Sequence, residues 1–249
     1  MQTILESGHD ISPLFAAPGV SLDIFRVDWL HAADQGVAAD YLGNLFLLLA
    51  SKMVGNNIKQ RVAALWANIQ TFYSQCAVAD RLQNLTESML KQPKKAPKLR
   101  SSAAQCRALV PFAVMEANRL LHDAVPLEAA AKMGMHHPGQ CYAALSHDSI
   151  FAADALKENS IRFALQYVAL ELYADQPKKW RIKPKLHLFL HMCSEGSRPS
   201  CCWTYRDEDW GGSVSSRSRR RGGLLAAQTF SSNLLSKFRM LPMIRLRAS

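Results

Sequence analysis

Apolar residues recur at three- and four-residue steps through most of this 249-residue chain. The clearest stripe lies in residues 57–75 and consists of Ile58, Val62, Leu65, Trp66, Ile69, Phe72 and Tyr73. An α-helix repeats every 3.6 residues, so this spacing lines one face of a helix. Similar patterns predict helices over residues 34–49, 79–91, 127–145 and 153–174, the last with Phe163, Tyr167, Val168 and Leu172 as its apolar residues. The sequence therefore predicts a mostly α, multi-helix fold with one or two short strands, the first within residues 21–28.

Capping residues and prolines mark where several of these helices begin. Asp34 is predicted to cap the first helix, and Ser101 or Ser102 to cap a later one, because short polar side chains accept hydrogen bonds from the first helical amides. Pro184 suits the first turn of a helix that runs through Cys193. Backbone amides in the first turn donate no hydrogen bond within the helix, so the missing amide hydrogen of proline costs nothing there.

Composition divides the chain into three parts. Residues 1–20 are predicted to be irregular, residues 21–193 to form a helical domain, and residues 194–249 to form a basic C-terminal segment with one or two helices. Within the helical domain, KQPKKAPKLR at 91–100 holds five basic residues and two prolines, which predicts an extended basic loop.

The apolar content argues against a membrane protein or a secreted one. The most apolar stretch, residues 42–50, is too short to span a bilayer, and the first ten residues lack the basic and apolar regions of a secretory signal. Six cysteines are scattered without a spaced framework, which favours free thiols in a reducing compartment. We expect a nuclear or cytoplasmic protein that does not bind a membrane.

The positive charge is concentrated near the C-terminus. Residues 1–175 hold 15 Lys/Arg against 16 Asp/Glu, a net −1, whereas residues 176–249 hold 15 against 4, a net +11. Such an excess favours a polyanionic partner, DNA or RNA, and a solvated basic tail is the alternative. The candidate phosphate-binding residues are Lys178, Lys179, Arg181, Lys183 and Lys185, and in a second group Arg217, Arg219, Arg220 and Arg221. SSRSRRR at 215–221 also suits nuclear import or RNA binding.

Two stretches raise the question of a metal site. His187 and His191 have the spacing of a zinc protease, but Leu188 stands where such enzymes place a glutamate. The remaining interpretations are two packed histidines or a structural zinc site made by His187, His191, Cys193 and Cys201 or Cys202. The acids Asp207, Glu208 and Asp209 precede the arginine cluster, which suits either a metal–phosphate site or simple capping of a helix.

Three motifs occur in a particular order: DWLH followed by a helix containing LGNLF, then KPKLHLFLH, then YRDEDWGG. This order resembles the C-terminal half of cut-and-paste DNA transposases of the CACTA and Kyakuja–Dileera–Zisupton type. The resemblance implies the helical insertion and last helix of an RNase H-like nuclease with an aspartate–aspartate–glutamate metal site that uses Mg²⁺. Asp28 and His31 match the signature that opens the insertion, His187 matches a later histidine, and Glu208 matches the last catalytic acid.

The chain departs from that family at the first two catalytic acids. Only 27 residues precede Asp28, and Glu6, Asp10 and Asp23 lie in no recognisable motif of the family. Cleavage by two metal ions needs several carboxylates, so we expect Glu208 to be vestigial and the protein to be a non-catalytic, transposase-derived chain without a metal or cofactor. Asp28 and His31 would then organise the first helix. The alternatives are a fragment of an active transposase or nuclease, a helical scaffold with a basic targeting tail, and a reading frame without retained function.

Overall fold

The computed structural model describes residues 26–145, 150–175, 179–201 and 203–205. The chain divides into two compact units, Met1–Trp203 and Thr204–Ser249, and the second unit contributes only Thr204 and Tyr205 to the described residues. The sequence also predicts helices in the C-terminal segment at about residues 206–220 and 224–239, and both lie outside the described residues. Glu208 lies outside them too, as do Arg217, Arg219, Arg220 and Arg221, which we call the arginine cluster.

The described part of the first unit is helical. A π-helical segment, Leu30–Ala38, leads directly into the first α-helix. The α-helices are α1 (Ala39–Ser51), α2 (Ile58–Gln75), α3 (Glu87–Leu90), α4 (Ala103–Ala108), α5 (Val110–Leu120), α6 (Pro126–Ala144), α7 (Ala153–Tyr173) and α8 (Pro184–Ser194), followed by a 3₁₀ turn at Pro199–Cys201. The prediction of a mostly α fold is confirmed.

The remaining predictions about elements have mixed outcomes. The helices predicted over 57–75, 127–145 and 153–174 are present as α2, α6 and α7, and Pro184 begins α8. The helix predicted over 79–91 is wrong for most of its length, because only Glu87–Leu90 is helical. No strand occurs among the described residues; of the strand predicted within 21–28, residues 26–28 are irregular and the rest lies outside them.

Local hydrogen bonds explain where two helices begin. Asn57 accepts a hydrogen bond from the Gln60 amide at 2.9 Å and caps α2. Ser102 and Gln105 form a reciprocal capping box at the start of α4, in which each side chain accepts a hydrogen bond from the other residue's amide. The prediction of a serine cap at this position is therefore confirmed for Ser102.

Helix α1 lies at the centre of the first unit. Its apolar side chains at Leu42, Leu45, Phe46 and Leu49 are fully buried, and even Asp40 and Asn44 are almost inaccessible to solvent. Within α1 only Leu47 and Leu48 are partly accessible and only Ser51, at its C-terminal end, is exposed. The helix therefore has almost no solvent face, which distinguishes it from the amphipathic α2.

The predicted N-cap at Asp34 is wrong. Asp34 lies inside the π-helical segment, completely buried, where its carboxylate accepts hydrogen bonds from Trp29 Nε1 at 3.3 Å and from the Tyr142 hydroxyl. A buried carboxylate is tolerated when donors of this kind satisfy it.

No helix in the described part of the chain is both long and apolar enough to cross a membrane.

Candidate polyanion-binding cleft

The basic loop at 91–100 is held against the start of α1. Its returning arm is fixed by three backbone hydrogen bonds, in which the amides of Lys98, Leu99 and Arg100 donate to the carbonyls of Leu90, Ala39 and Met89 at 2.8–2.9 Å. On α1, a Cβ added at Gly43 would lie 2.4–2.5 Å from the Lys98 backbone. The absence of a side chain at Gly43 therefore allows the loop backbone to lie directly on the helix.

A second basic segment approaches from the chain before α8. Trp180 anchors it: the indole ring is 2% exposed and lies 5.0 Å from the Tyr41 ring, centroid to centroid. The Trp180 amide donates to Asn44 Oδ1 at 2.9 Å, and its φ of 55° lies in the left-handed region, which non-glycine residues rarely adopt. This buried anchor turns the chain so that the next residues, Arg181 and Lys183, lie beside the basic loop.

The two segments enclose a cleft of about 560 Å³. Six of its lining residues are cationic, and they come from both walls: Lys94, Lys95, Lys98 and Arg100 from the loop, and Arg181 and Lys183 from the segment before α8. The other lining residues are Leu90, Gln92, Ala96, Ile182 and Pro184. We call this concavity the basic cleft.

Two half-buried lysines of the basic cleft are held by hydrogen bonds. Lys98 Nζ donates to the Gln35 carbonyl at 2.6 Å, and Lys183 Nζ donates to Asp40 Oδ1 at 2.7 Å. Burial lowers the pKa of Lys98; the Asp40 carboxylate opposes this shift, while the positive charges of Lys185 and Lys183 add to it. These lysines hold the walls in place, and each ammonium retains further donor hydrogens.

Three other cations of the cleft face solvent. Lys95, Arg100 and Arg181 are exposed, and their side chains make no hydrogen bond or ion pair with another described residue. Their positive charges are therefore not neutralised within that part of the protein. A phosphate or another anion entering the cleft meets donors that do not first have to break an internal ion pair.

The structure separates the predicted phosphate-binding residues. Arg181 and Lys183 line the basic cleft, whereas Lys185 Nζ donates to the His31 carbonyl at 2.9 Å. Lys179 forms an exposed ion pair with Asp175 at 2.9 Å. Lys178 lies outside the described residues, as do Arg217, Arg219, Arg220 and Arg221.

The two signature residues of DWLH form a helix-start motif. Asp28 Oδ2 accepts a hydrogen bond from the His31 amide at 3.0 Å and lies 2.5 Å from His31 Nδ1. The Asp28 carbonyl accepts from the Ala32 amide at 3.0 Å and thereby begins the helical ladder. The side-chain carboxylate and the backbone carbonyl of Asp28 thus both accept hydrogen bonds at the start of the segment that leads into α1.

The predicted metal-binding residues are not brought together in the described part of the chain. His187 and His191 are exposed on α8 with ring centroids 6.3 Å apart, while Cys193 is buried, and burial raises the pKa of its thiol to about 12. Among residues 26–145, 150–175, 179–201 and 203–205, no three His, Cys, Asp or Glu side chains form a group that could hold a metal ion. Cys202 and Glu208 lie outside these ranges.

The sequence prediction missed the wall of the cleft that the basic loop supplies. Lys94, Lys95, Lys98 and Arg100 had a clear signal, because residues 91–100 are dense in positive charge. The sequence held no signal for their proximity to Arg181, because that proximity depends on contacts that both segments make with α1.

A scan against protein-family models, a search of curated proteins and a search of solved structures each returned no match for this chain.

Proposed function

We propose that this protein is a non-catalytic, transposase-derived helical protein that binds nucleic acid through backbone phosphates held in the basic cleft. The observation that carries the proposal is the convergence of six cationic side chains from two separate segments on one concavity. Lys and Arg are the residues that most often contact phosphate oxygens, and Arg can donate two parallel hydrogen bonds to one phosphate.

The lining of the cleft favours recognition of phosphates over recognition of bases. Its described residues include no aromatic side chain on which a base could stack. Gln92 is its only side-chain amide, whereas base-specific contacts usually combine several amide and guanidinium groups. We therefore expect binding to tolerate changes of sequence and to depend strongly on salt.

The transposase-derived part of the proposal is supported by the order of the DWLH, KPKLHLFLH and YRDEDWGG motifs. The non-catalytic part is supported by the sequence, because Glu6, Asp10 and Asp23 lie in no recognisable motif of the family's first two catalytic acids. Asp28 matches the signature and not a catalytic acid, and its carboxylate is engaged at the start of a helix by the His31 amide and ring.

Salt titration tests the proposal. Lys95, Arg100 and Arg181 allow about three phosphate contacts, so the cleft alone should account for a fall in affinity of about 20-fold for single strands and about 40-fold for duplex between 50 mM and 200 mM salt, to which any contacts by the C-terminal segment add. Fluorescence anisotropy with labelled single-stranded and duplex DNA of several sequences measures both dependences. Affinity that does not change with salt would contradict the phosphate model.

Charge reversal locates the binding site. The variant Lys95→Glu/Arg100→Glu/Arg181→Glu should lose most of the affinity contributed by the cleft and reduce the salt slope by about two to three. The control Lys59→Glu/Lys157→Glu reverses two exposed cations on α2 and α7, outside the cleft lining, and should have a much smaller effect per charge reversed. Magnesium-dependent cleavage of DNA that is lost in Glu208→Gln would instead establish the active-fragment alternative.

A further inference from the structure

The returning arm of the basic loop separates the basic cleft from a second concavity. On one edge of the arm, the Lys98 amide donates to the Leu90 carbonyl at 2.9 Å, and on the opposite edge the Leu99 amide donates to the Ala39 carbonyl at 2.8 Å. Successive amides of an extended chain point in opposite directions in this way. The basic cleft is lined by Leu90 and the second concavity by Ala39, so the two lie along opposite edges of the arm.

The second concavity continues the positive charge of the basic cleft. It has a volume of about 440 Å³ and shares the cations Lys98 and Arg100 with the basic cleft. Its lining consists of Gln35, Ala39, Lys98, Leu99, Arg100 and Ser101. Because the same two cations face both concavities, these form one depression that crosses the arm. We call this depression the basic trough.

The floor of the basic trough lies below the protein surface. Leu99 is 1% exposed, and Lys98 is half-buried with its Nζ bound to the Gln35 carbonyl at 2.6 Å. Arg100, by contrast, is exposed. Side chains of an extended chain alternate, so the buried Leu99 leaves Lys98 and Arg100 on the outward side of the arm. The arm therefore supplies positive charge to the trough from its floor.

We infer that the basic trough binds a single strand of nucleic acid, whose backbone crosses the arm with phosphates on both sides of Arg100. This inference rests on the proposed function, because it takes phosphate binding in the basic cleft as given. It adds the second concavity to the binding site and specifies the substrate class as a single strand instead of a duplex.

Stiffness distinguishes the two forms of nucleic acid. Duplex DNA has a persistence length of about 50 nm, so it presents a straight, convex surface to a site of this size. That surface contacts the exposed cations Lys95, Arg100 and Arg181 but does not follow the floor into the second concavity. A single strand has no pairing partner to hold its backbone straight, so it can turn successive phosphates towards Lys98 and Arg100. Proteins that bind single strands without sequence preference use basic grooves that follow the backbone.

The depth of the arm disfavours its insertion into a groove of a duplex. The minor groove is about 7.5 Å deep and the major groove about 8.5 Å deep, so a segment that enters either of them has to project from the protein. The arm instead lies directly on α1, where a Cβ added at Gly43 would be 2.4–2.5 Å from the Lys98 backbone. A duplex therefore cannot place one backbone in each concavity with the arm between them.

The charge of nucleic acid by itself predicts the opposite preference. A duplex carries one negative charge per about 1.7 Å of its axis, against one per about 3.4 Å for each strand. A flat basic surface should therefore bind the duplex more tightly. Contacts that are made to a single strand and not to the duplex are for this reason specific to a trough.

Two glutamines allow the two halves of the basic trough to be tested separately. Gln35 lines the second concavity and not the basic cleft, whereas Gln92 lines the basic cleft and not the second concavity. Glutamate has nearly the same shape as glutamine and adds one negative charge. Lys98 Nζ is bound to the backbone carbonyl of Gln35, so Gln35→Glu retains that contact. Gln70→Glu, at an exposed position on α2 outside both linings, is the matched control.

Fluorescence anisotropy measures the affinity of each full-length variant for an unstructured labelled strand and for the duplex that this strand forms with its complement. Gln35→Glu should lower affinity for the single strand about 5- to 10-fold, because its carboxylate repels a nearby phosphate, and affinity for the duplex by less than about 2-fold. Gln92→Glu should weaken binding of both forms, and Gln70→Glu should change either affinity by less than about 2-fold. Circular dichroism confirms that each variant is folded.

Two results would overturn the inference: an equal effect of Gln35→Glu on the single strand and the duplex, or an effect on the single strand no larger than that of Gln70→Glu. With either result, weaker binding by Gln92→Glu would still support the proposed function. If neither Gln35→Glu nor Gln92→Glu weakens binding of either form, the basic cleft is not the binding site, and the proposed function is wrong as well.

Discussion

At the residue scale, Asp28 accounts for the unusual DWLH sequence at the start of the buried helices. Its carboxylate accepts a hydrogen bond from the His31 amide and contacts the His31 ring. Its backbone carbonyl accepts a hydrogen bond from the Ala32 amide. Lys185 Nζ donates to the His31 carbonyl, so the same short motif also binds the start of α8. An acid and a histidine three residues apart thus contribute here to helix geometry.

This interpretation predicts the effect of changing Asp28. Asp28→Ala removes the acceptor for the His31 amide and should lower the free energy of unfolding by about 1 kcal/mol. Asp28→Asn retains an acceptor oxygen and should recover most of that loss. Urea unfolding measures the change, and affinity for DNA should be the same in both variants as in the wild type. A loss of affinity in the stable Asp28→Asn variant would show that Asp28 contributes directly to binding.

Glu128 makes folding stability depend on pH. Burial by itself raises the pKa of its carboxyl, but hydrogen bonds from Lys52 Nζ at 2.5 Å and the His122 amide at 2.9 Å outweigh burial and lower it. Since the pKa is lower in the folded state, the unfolded chain binds the proton first as pH falls. The contribution of Glu128 to the free energy of unfolding is therefore complete above the pKa of about 4.3 that the carboxyl has in the unfolded chain. It is lost as pH falls through the lower pKa of the folded state.

The corresponding experiment compares urea unfolding of the wild type and Glu128→Gln. At pH 7 the variant should be less stable by about 1–3 kcal/mol, because a hydrogen-bonded buried charge is lost. The difference should narrow below about pH 4. Glu158→Gln alters an exposed ion pair and should change stability much less. A Glu128→Gln difference that does not vary with pH would contradict this assignment.

At the element scale, the contact between α1 and the basic loop positions one wall of the cleft. Gly43→Ala would place a methyl group 2.4–2.5 Å from the Lys98 backbone, and neither backbone can move without disturbing its neighbours. We expect a loss of about 1–3 kcal/mol in the free energy of unfolding, together with weaker DNA binding.

Gly139 provides the matched control for that substitution. It also lies within a helix, but a Cβ there would meet only Val114 Cγ2 at an ordinary 3.7 Å. Gly139→Ala should therefore be neutral or stabilising by up to about 1 kcal/mol, because alanine is the better helix former. If both variants had the same stability and the same affinity, the close approach at Gly43 would not be what positions the loop.

Helix α7 shows how far periodicity alone predicts an element. Its bounds were close to the prediction, but Phe163 and Tyr167 are buried whereas Val168 and Leu172 lie on the opposite, exposed side. The helix has two apolar faces, and its sequence does not state which of them meets the core. The helix predicted over 79–91 was wrong for a similar reason. Leu82 and Leu85 are buried in the core, but the chain around them is irregular, so their three-residue spacing did not indicate a helix.

At the scale of the whole molecule, positive charge occurs in two places that are far apart in sequence. One is the basic cleft of the first unit, and the other is Arg217, Arg219, Arg220 and Arg221 in the second unit. If both contact nucleic acid independently, their contributions to the binding free energy should add.

A double-variant comparison tests this independence. Anisotropy at several salt concentrations compares three variants. The first is the cleft variant Lys95→Glu/Arg100→Glu/Arg181→Glu, the second has glutamine at Arg217, Arg219, Arg220 and Arg221, and the third combines both sets. The losses should add within about 0.5 kcal/mol, and each set should reduce the salt slope separately. Binding that depends on the C-terminal arginines alone would contradict a role for the cleft.

The sequence by itself determined the helical character of the described chain, a serine cap at 101 or 102, the position of Pro184 and the density of charge at 91–100. Each of these depends on a few neighbouring residues, so local periodicity and capping were enough to predict them. Only the tertiary structure decided that Asp34 is buried, that α7 exposes its second apolar face and that Arg181 lies across a cleft from Arg100. Those features depend on which distant surfaces meet around α1, and contacts between residues far apart in sequence leave no periodic pattern in either segment.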